Sequence, residues 1–299
     1  MQSPTFAANR CIVDGRIVNW GLFVLLSVIW GSSFILMKVG MEGLSPYQVA
    51  SIRILSAGLV LLPLGWKAFR AVPRDRLGLV FLSGLLGTFF PAYLFCLAET
   101  RIDSSLAGIL NALTPIFTLL IGAFFFSNPV GWKKWLGVAL GFVGLVMLIL
   151  SGRQTVSLSY LGYASFIPVA TLLYGFNVNM VNRHLRDIGS REIATVAFTM
   201  LIPLSLAILT ATGYFQMERT EVFFRSSGAG AMLGVLGTAA ASILFYMLLK
   251  RAGTVMSTMV TYGIPFVAIF WGTFSGETVG AAQVACLLVI LAGVYLANR

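Results

Sequence analysis

Two prolines, Pro115 and Pro265, lie inside apolar segments long enough to cross a membrane. Proline has no amide hydrogen, so within a helix it leaves the carbonyl four residues earlier without its normal donor. The freed carbonyls belong to Asn111 and Thr261, whose side chains also form hydrogen bonds. Because an unpaired carbonyl is costly in hydrocarbon, such breaks face protein or a water-filled cavity. The pattern predicts non-covalent ligand binding near the middle of a membrane, and simple kinks are the alternative.

Other polar and aromatic side chains within the apolar segments could surround the same ligand. Tyr174 and Asn177 lie one helical turn apart, and Trp30 and Tyr174, each followed by glycine, occupy matching places in two halves of the sequence. Aromatic rings around a few amides and hydroxyls suit a small amphipathic molecule. The competing role for each aromatic residue is helix packing or a belt at the membrane surface. The predicted binding residues are Trp30, Ser33, Tyr93, Asn111, Pro115, Tyr174, Asn177, Tyr246, Thr261, Tyr262 and Pro265.

The ionisable residues argue against catalysis inside the membrane. All ten acidic residues fall in loops or at helix ends, and the only histidine, His184, lies at the end of a segment. An intramembrane enzyme needs paired acids and bases or clustered metal ligands, and the sequence offers neither. We therefore predict no catalytic residues, no metal and no cofactor. Arg53 lies well inside a segment, and we expect it to have a structural role.

The elements that position these residues are predicted to be membrane-spanning helices. Hydrophobic residues make up 58% of the chain, charged residues 10%, and the mean hydropathy is +0.92, which excludes an ordinary soluble protein. A helix needs about 20 apolar residues to cross a bilayer. The predicted fold class is an all-α polytopic membrane protein with ten transmembrane helices. Its segments are 19–38, 46–66, 77–98, 104–126, 132–150, 159–181, 192–212, 229–249, 254–274 and 279–297.

An internal repeat relates these helices. The stretch Gly84–Phe124 aligns without a gap with Gly234–Phe274, and its opening GLLGT matches GVLGT. Arg101 matches Arg251, and the two prolines also match each other. The repeat unit contains five helices, an odd number, so the second copy starts on the opposite side of the membrane.

The repeat predicts one integral membrane domain with two inverted five-helix halves, residues 19–151 and 159–298, after a cytoplasmic segment 1–18. Inverted halves around a central site are typical of carriers, which alternate access to that site. A channel would favour rings of charges or carbonyls over aromatic residues. A proton relay would need a carboxylate or histidine within a span, so we expect facilitated movement without tight proton coupling.

The basic residues predict the orientation of the chain. Of the 20 Lys and Arg residues, 14 fall on the side of the N-terminus, five fall on the other side, and Arg53 lies within the second segment. This bias predicts cytoplasmic N- and C-termini, and it makes nucleic acid an unexpected partner. The expected partners are a small-molecule substrate and the lipid bilayer. Gly137, Gly141 and Gly144 could serve a dimer face or internal packing, so a monomer and a homodimer both remain open.

Four stretches together resemble a known family. They are WGSSFILMKVG (Trp30 to Gly40), ASIRILSAGLVL around Arg53, AETRIDSSLAGILNALTPIFTLLIGAFFF (Ala98 to Phe126), and SGETVGAAQ after the Pro265 helix. In order, spacing and duplication they are similar to the drug/metabolite transporter superfamily, in its EamA-type ten-helix branch. The resemblance covers about residues 19–298.

That resemblance implies a multi-pass protein of the bacterial inner membrane that exports small metabolites. The aromatic amino-acid exporters are a close comparison, so amino acids are the expected substrates. A carrier of an organic anion, nucleoside or nucleotide sugar is the alternative. The sequence departs from the family pattern at one point: a glutamate often follows both the fourth and the ninth helix, and here Glu277 follows the ninth while Ser127-Asn128-Pro129 follows the fourth.

Overall fold

The computed structural model describes residues 15–127, 131–150 and 158–297. Across these ranges the chain forms helices and turns without a β-strand, which confirms the all-α class. Residues 1–14 of the predicted N-terminal segment, with Asn128 and Pro129, lie outside the described residues. The α-helices are α1 (Gly15–Met41), α2 (Pro46–Ala71), α3 (Leu77–Gly84), α4 (Phe90–Ala98), α5 (Ser104–Asn111), α6 (Thr114–Phe125), α7 (Trp132–Leu150), α8 (Leu158–His184), α9 (Ser190–Ala211), α10 (Glu221–Gly234), α11 (Ala241–Thr258), α12 (Val260–Phe274) and α13 (Ala281–Ala297).

The helices have the length and apolar surface that a bilayer requires. Within the described ranges, seven helical spans are long and apolar enough to cross a membrane, and α12 and α13 are shorter apolar helices. Large apolar side chains such as Trp66, Phe124 and Phe274 are exposed on the surface, where lipid would cover them. The polytopic membrane fold is confirmed, and the count of ten transmembrane helices stays a prediction.

Local sequence explains where α2 begins. The Ser45 hydroxyl accepts a hydrogen bond from the Gln48 amide (3.3 Å), and the Gln48 side chain accepts one from the Ser45 amide (2.9 Å). This capping box satisfies amide groups that a helix start otherwise leaves unpaired. Pro46 occupies the first turn, where its missing amide hydrogen costs nothing.

A π-helical turn lies at the matching position of each half. The first turn, Leu85–Phe89, joins α3 to α4, and the second, Val235–Ala240, joins α10 to α11. In the second turn the Thr238 hydroxyl donates to the Leu233 carbonyl five residues earlier (3.2 Å). π turns are rare overall, and those that occur are often found at functional sites. The repeated GLLGT and GVLGT motifs therefore correspond to two widened helical turns.

The fourth and ninth spans are interrupted at different depths. α5 ends at Asn111, and α6 begins at Thr114 with Pro115 in its first turn. In the second half the interruption lies at Met259, whereas Pro265 lies inside the continuous helix α12. The two prolines match in sequence, but only Pro115 begins a new helix.

Counterpart helices of the two halves pack against each other in opposite directions. In the α2–α9 pair, the Gln48 side chain donates to the Thr212 carbonyl (3.0 Å), while Gly58 packs on Ile202. Residue numbers thus rise along α2 and fall along the adjoining α9. The pairs α7–α13 and α5–α12 are antiparallel in the same way. This is the geometry that an inverted repeat requires.

Two further contacts each pair a helix of one half with a helix of the other half. Gly31 of α1 packs on Val267 of α12, and Gly175 of α8 packs on the backbone of Phe117 in α6. Val267 and Phe117 occupy the same position of the internal repeat. At both places a larger side chain would overlap the facing helix, so glycine permits the close approach.

Candidate functional site

A central cavity lies between the two halves and contains about 860 Å³ of unfilled space, including solvent at its mouth. Its lining residues are Trp30, Ser33, Phe34, Met37, Arg53, Gly87, Thr88, Phe95, Asn111, Thr114, Tyr174, Asn177, Val178, Gly237, Thr238, Ser242, Phe245, Tyr246, Thr258, Thr261 and Ile264. Most of these side chains are apolar, aromatic or neutral and polar, a composition typical of pockets that bind small molecules without covalent chemistry.

Both repeats contribute the same positions to this lining. Gly87 and Gly237, Thr88 and Thr238, Phe95 and Phe245, and Asn111 and Thr261 are counterpart pairs, and every member contacts the cavity. The two π-helical turns supply the glycine and threonine pairs. The cavity therefore lies where the two halves meet.

Two aromatic pairs contribute to the walls of the cavity. The Trp30 and Phe245 rings lie 5.3 Å apart, and the Tyr174 and Phe95 rings lie 6.2 Å apart. Trp30 and Tyr174 occupy matching places in the two halves, as do Phe95 and Phe245. Each pair thus joins one helix of the first half to one of the second, and the ring faces suit an apolar or aromatic ligand group.

Hydrogen bonds fix several lining side chains. The Trp30 indole donates to the Gly237 carbonyl in the second π turn (3.0 Å). Ser83 donates to the Asn177 side chain (2.7 Å) and also lies 3.1 Å from the Tyr246 hydroxyl. Buried polar groups that are bonded in this way hold one arrangement of the helices.

The interruption between α5 and α6 presents polar groups to the cavity. The Thr114 hydroxyl donates to the Asn111 carbonyl (2.7 Å) and lies 3.3 Å from the Asn111 side-chain oxygen. In the second half, the Thr261 hydroxyl donates to the Thr258 carbonyl (2.7 Å). Local hydroxyls thus satisfy part of the backbone at both helix interruptions.

Seven of the eleven residues predicted from sequence lie in the lining: Trp30, Ser33, Asn111, Tyr174, Asn177, Tyr246 and Thr261. The other four lie outside it. The Tyr93 hydroxyl lies 2.7 Å from Ser51 and its ring packs beside Phe89. Pro115 and Pro265 are buried in helix packing, and Tyr262 is partly buried against the hydrophobic core.

Arg53 and the two threonines of the π turns are lining residues that sequence reasoning did not include. Identity between the repeats was a usable signal for Thr88 and Thr238, since both follow the paired glycines. No identity between the repeats marks Arg53. Its place in the cavity depends on how α2 packs against the second π turn.

A cluster of polar side chains closes one end of the molecule; we call Lys38, Glu99, Ser104, Ser105 and Glu277 the Glu277 cluster. One Glu277 oxygen accepts from Lys38 (2.5 Å) and from the Ser104 amide (2.9 Å), and the other accepts from the Ser105 amide (3.0 Å). A carboxylate from the second half thus caps the first turn of α5. Burial raises the pKa of Glu277, but the bonds with Lys38 and the two serine amides outweigh it and lower the pKa.

Glu99 belongs to the same cluster but has few partners. Its side chain is buried, 5% exposed, and one carboxyl oxygen accepts from the Ser104 hydroxyl (3.2 Å). The other oxygen has no hydrogen-bond partner. Burial raises the pKa of Glu99 well above its usual value, and Lys38 only partly offsets that effect. Glu99 lies at a helix end, as predicted, but the burial of its carboxyl group was not predicted.

The repeat-related positions around the Glu277 cluster differ in burial and charge. Ser105 and Leu106 of α5 are buried, whereas their repeat counterparts Val255 and Met256 are 45% exposed and partly exposed, respectively. The residue matching Glu277 in the first half is Ser127, which lacks a carboxylate. The Glu277 cluster therefore has no carboxylate equivalent at the repeat-related position of the other half.

Comparisons with known proteins agree with this architecture. The family model described as the EamA-like transporter family matches residues 19–150 and 162–299. The uncharacterized inner membrane transporter YedA of Escherichia coli (strain K12) is 27% identical over 286 residues, covering 93% of this chain and 89% of its own. A probable amino-acid metabolite efflux pump of Salmonella typhimurium is 26% identical over 284 residues, covering 92% and 93% of the two chains. A solved crystal structure superposes with a TM-score of 0.64 at 14% identity, covering 95% of this chain and 96% of its own, which supports the fold alone.

Proposed function

Because the chain belongs to the EamA-like transporter family, we propose that it exports amino acids, including aromatic ones, across a bacterial inner membrane by alternating access. The observation that carries this proposal is the central cavity to which both repeats contribute equivalent residues. The names of two relatives as probable amino-acid metabolite efflux pumps support the substrate class. The paired aromatic walls are suited to an aromatic side chain.

The proposed architecture is one membrane domain with inverted halves at residues 19–151 and 159–298. Cytoplasmic N- and C-termini, with segment 1–18 inside, would put the Glu277 cluster at the outer face. The lower burial of Val255 and Met256 then corresponds to a cavity that opens toward the cytoplasm. Export would require the Glu277 cluster to separate while the cytoplasmic end closes.

Transport is proposed to be facilitated rather than tightly coupled to protons. In support, the cavity lining contains no carboxylate and no histidine among the described residues. Among the residues that the structure describes, Glu99 is the one buried carboxyl group with an unpaired oxygen, and it lies in the Glu277 cluster outside that lining. Proton-dependent flux that disappears in Glu99→Gln would contradict this part of the proposal.

A carrier of organic anions is the second candidate, and one observation favours it: Arg53 lies in the cavity lining. Under both candidates the partners are a small solute and the bilayer, and the chain works as a monomer or homodimer without nucleic acid. We do not assign an enzymatic activity, since the lining offers no acid–base pair among its described residues.

Counterflow in proteoliposomes tests the proposal. Vesicles preloaded with unlabelled phenylalanine should accumulate labelled phenylalanine in a saturable manner, and a panel of amino acids, nucleosides and organic acids should define the competitors. Asn111→Ala and Trp30→Ala should each raise the half-saturating concentration by about 2- to 10-fold, because each removes a hydrogen-bonding group or ring from the cavity. Trp66→Ala, which removes an exposed tryptophan of α2, is the matched control and should leave affinity unchanged.

Three results would contradict the proposal. Exchange no greater than in protein-free vesicles would refute carrier function, and flux that rises linearly with concentration would indicate a channel. Unchanged affinity in both cavity variants would refute the placement of the site.

A further inference from the structure

Arg53 is the only charged side chain among the lining residues that the structure describes. It is 9% exposed, its Nε donates to the Thr238 hydroxyl (2.7 Å), and its Nη1 lies 4.0 Å from the Met37 sulfur. A thioether sulfur is a weak acceptor. In the part of the chain that the structure describes, no carboxylate forms an ion pair with Arg53. The guanidinium therefore faces the cavity with donors that lack a strong acceptor.

An arginine in this position is costly unless something compensates its charge. Arginine stays protonated in proteins, so it cannot escape burial by losing its proton. Structural arginines in membrane helices extend to the interface, bind helix-end carbonyls or pair with an acid. The described contacts of Arg53 are instead a hydroxyl and a sulfur, both from cavity-lining residues. The missing anion is best supplied by the ligand.

From this geometry we infer that Arg53 binds the carboxylate of the transported solute. This inference rests on the proposed transport function and narrows its substrate class to monocarboxylates that carry an apolar or aromatic body, zwitterionic amino acids among them. It replaces the structural role expected from the sequence. A guanidinium and a carboxylate can form two parallel hydrogen bonds. Because Nε already donates to Thr238, the two Nη nitrogens are the donors left to bind the carboxylate.

The second π turn positions the guanidinium. The Thr238 hydroxyl uses its hydrogen on the Leu233 carbonyl (3.2 Å) and so offers a lone pair to Arg53 Nε. The five-residue spacing of the π turn brings the Thr238 hydroxyl to the Leu233 carbonyl, where a regular helix would offer the carbonyl four residues back. Thr238 is a positioning residue, and Arg53 is the residue that would touch the substrate.

The rest of the cavity suits the remaining parts of such a solute. The Tyr174–Phe95 and Trp30–Phe245 pairs offer ring faces to its body. An ammonium group would find neutral oxygens and aromatic faces but no carboxylate among the described lining residues. A single fixed positive charge therefore favours anions and zwitterions and disfavours organic cations.

Three related solutes separate the contribution of the carboxylate from that of the ring: phenylalanine, 3-phenylpropionate without the amine, and phenethylamine without the carboxylate. Binding to purified protein in detergent is measured by calorimetry, and counterflow is measured in proteoliposomes. The wild type should bind the two carboxylates at least about 10-fold more tightly than phenethylamine. Arg53→Gln should weaken both carboxylates by about 10- to 100-fold and leave phenethylamine within about 2-fold, and Arg53→Lys should fall between.

Arg70→Gln is the matched control, because it removes the same charge from the same helix at an exposed position outside the lining. Equal weakening of all three solutes in Arg53→Gln, or none, would overturn the inference and leave carrier function standing. Arg53-dependent binding of carboxylates without any counterflow would support the inference and overturn the proposed function instead.

Discussion

Two glutamates bond to the same serine at the start of α5, and their surroundings shift their pKa values in opposite directions. Ser104 donates its amide to Glu277 and its hydroxyl to Glu99. Glu277 has an ammonium and two amides as donors, whereas Glu99 has one hydroxyl and an oxygen without a partner. At neutral pH the first carboxylate therefore stabilises the closed end, and the second is penalised whenever it ionises.

Glu277→Gln should destabilise the protein at neutral pH by about 1–3 kcal/mol, because it removes the charge from a hydrogen-bonded carboxylate. The pKa of Glu277 is lowered from its usual value of 4.5, so its stabilisation is present above pH 4.5 and is lost as the pH falls through the lower folded value. Thermal unfolding in detergent at pH 7 and pH 3.5 measures this. The gap between wild type and variant should shrink at the lower pH, and a constant gap would contradict the assignment.

Glu99→Gln should show the reverse dependence. Burial raises the pKa of Glu99, so the folded state holds its proton after the unfolded state has released it. Wild-type stability should therefore fall as the pH rises above 4.5, while the variant lacks this term. Thermal unfolding should show that the stability of the variant, relative to that of the wild type, increases from pH 5 to pH 8. Counterflow by the variant should keep its wild-type pH profile if transport is not coupled to protons.

Among the elements, α7 and α13 form the pair that depends most on small residues. A side chain on Gly137 would overlap the backbone of Gly293 and Ala297, and Gly293 in turn faces the backbone of Gly137 and Gly141. Gly137→Leu should lower stability by about 1–3 kcal/mol, as overpacking does in other cores. Gly162→Ala in α8 is the control, because open space surrounds that position and alanine favours a helix. Equal unfolding temperatures in the two variants would show that this contact is not tight.

Much of this architecture follows from the sequence, and the exceptions have physical causes. The length of the apolar segments predicts the all-α membrane fold. The repeated motifs predict which helices meet at the cavity, and Trp30, Asn111 and Tyr174 are predicted residues that line it. The π turns were not predictable, because one extra residue in a helical turn leaves no mark on an evenly apolar helix. The inward burial of Glu99 and the cavity position of Arg53 depend on tertiary contacts between the halves. Composition and spacing contain no information about those contacts.

At the scale of the whole molecule, the two ends of the cavity are held by different means. The Glu277 cluster joins α1, the start of α5 and the segment after α12, so it ties both halves together at one end. At the other end the matching carboxylate is absent, since Ser127 occupies its place. The Glu277 cluster thus joins the two halves at one end, and a carrier cycle requires that contact to open.

Crosslinking across the Glu277 cluster tests that requirement most directly. Lys38→Cys and Glu277→Cys are combined in a background without Cys11, Cys96 and Cys286, and a short bifunctional thiol reagent with a reducible linker joins the new pair. We predict that the crosslinked protein still binds phenylalanine but loses counterflow and that reduction restores counterflow, while each single-cysteine protein is unaffected by the reagent. Full counterflow in the crosslinked protein would contradict transport through this end by alternating access.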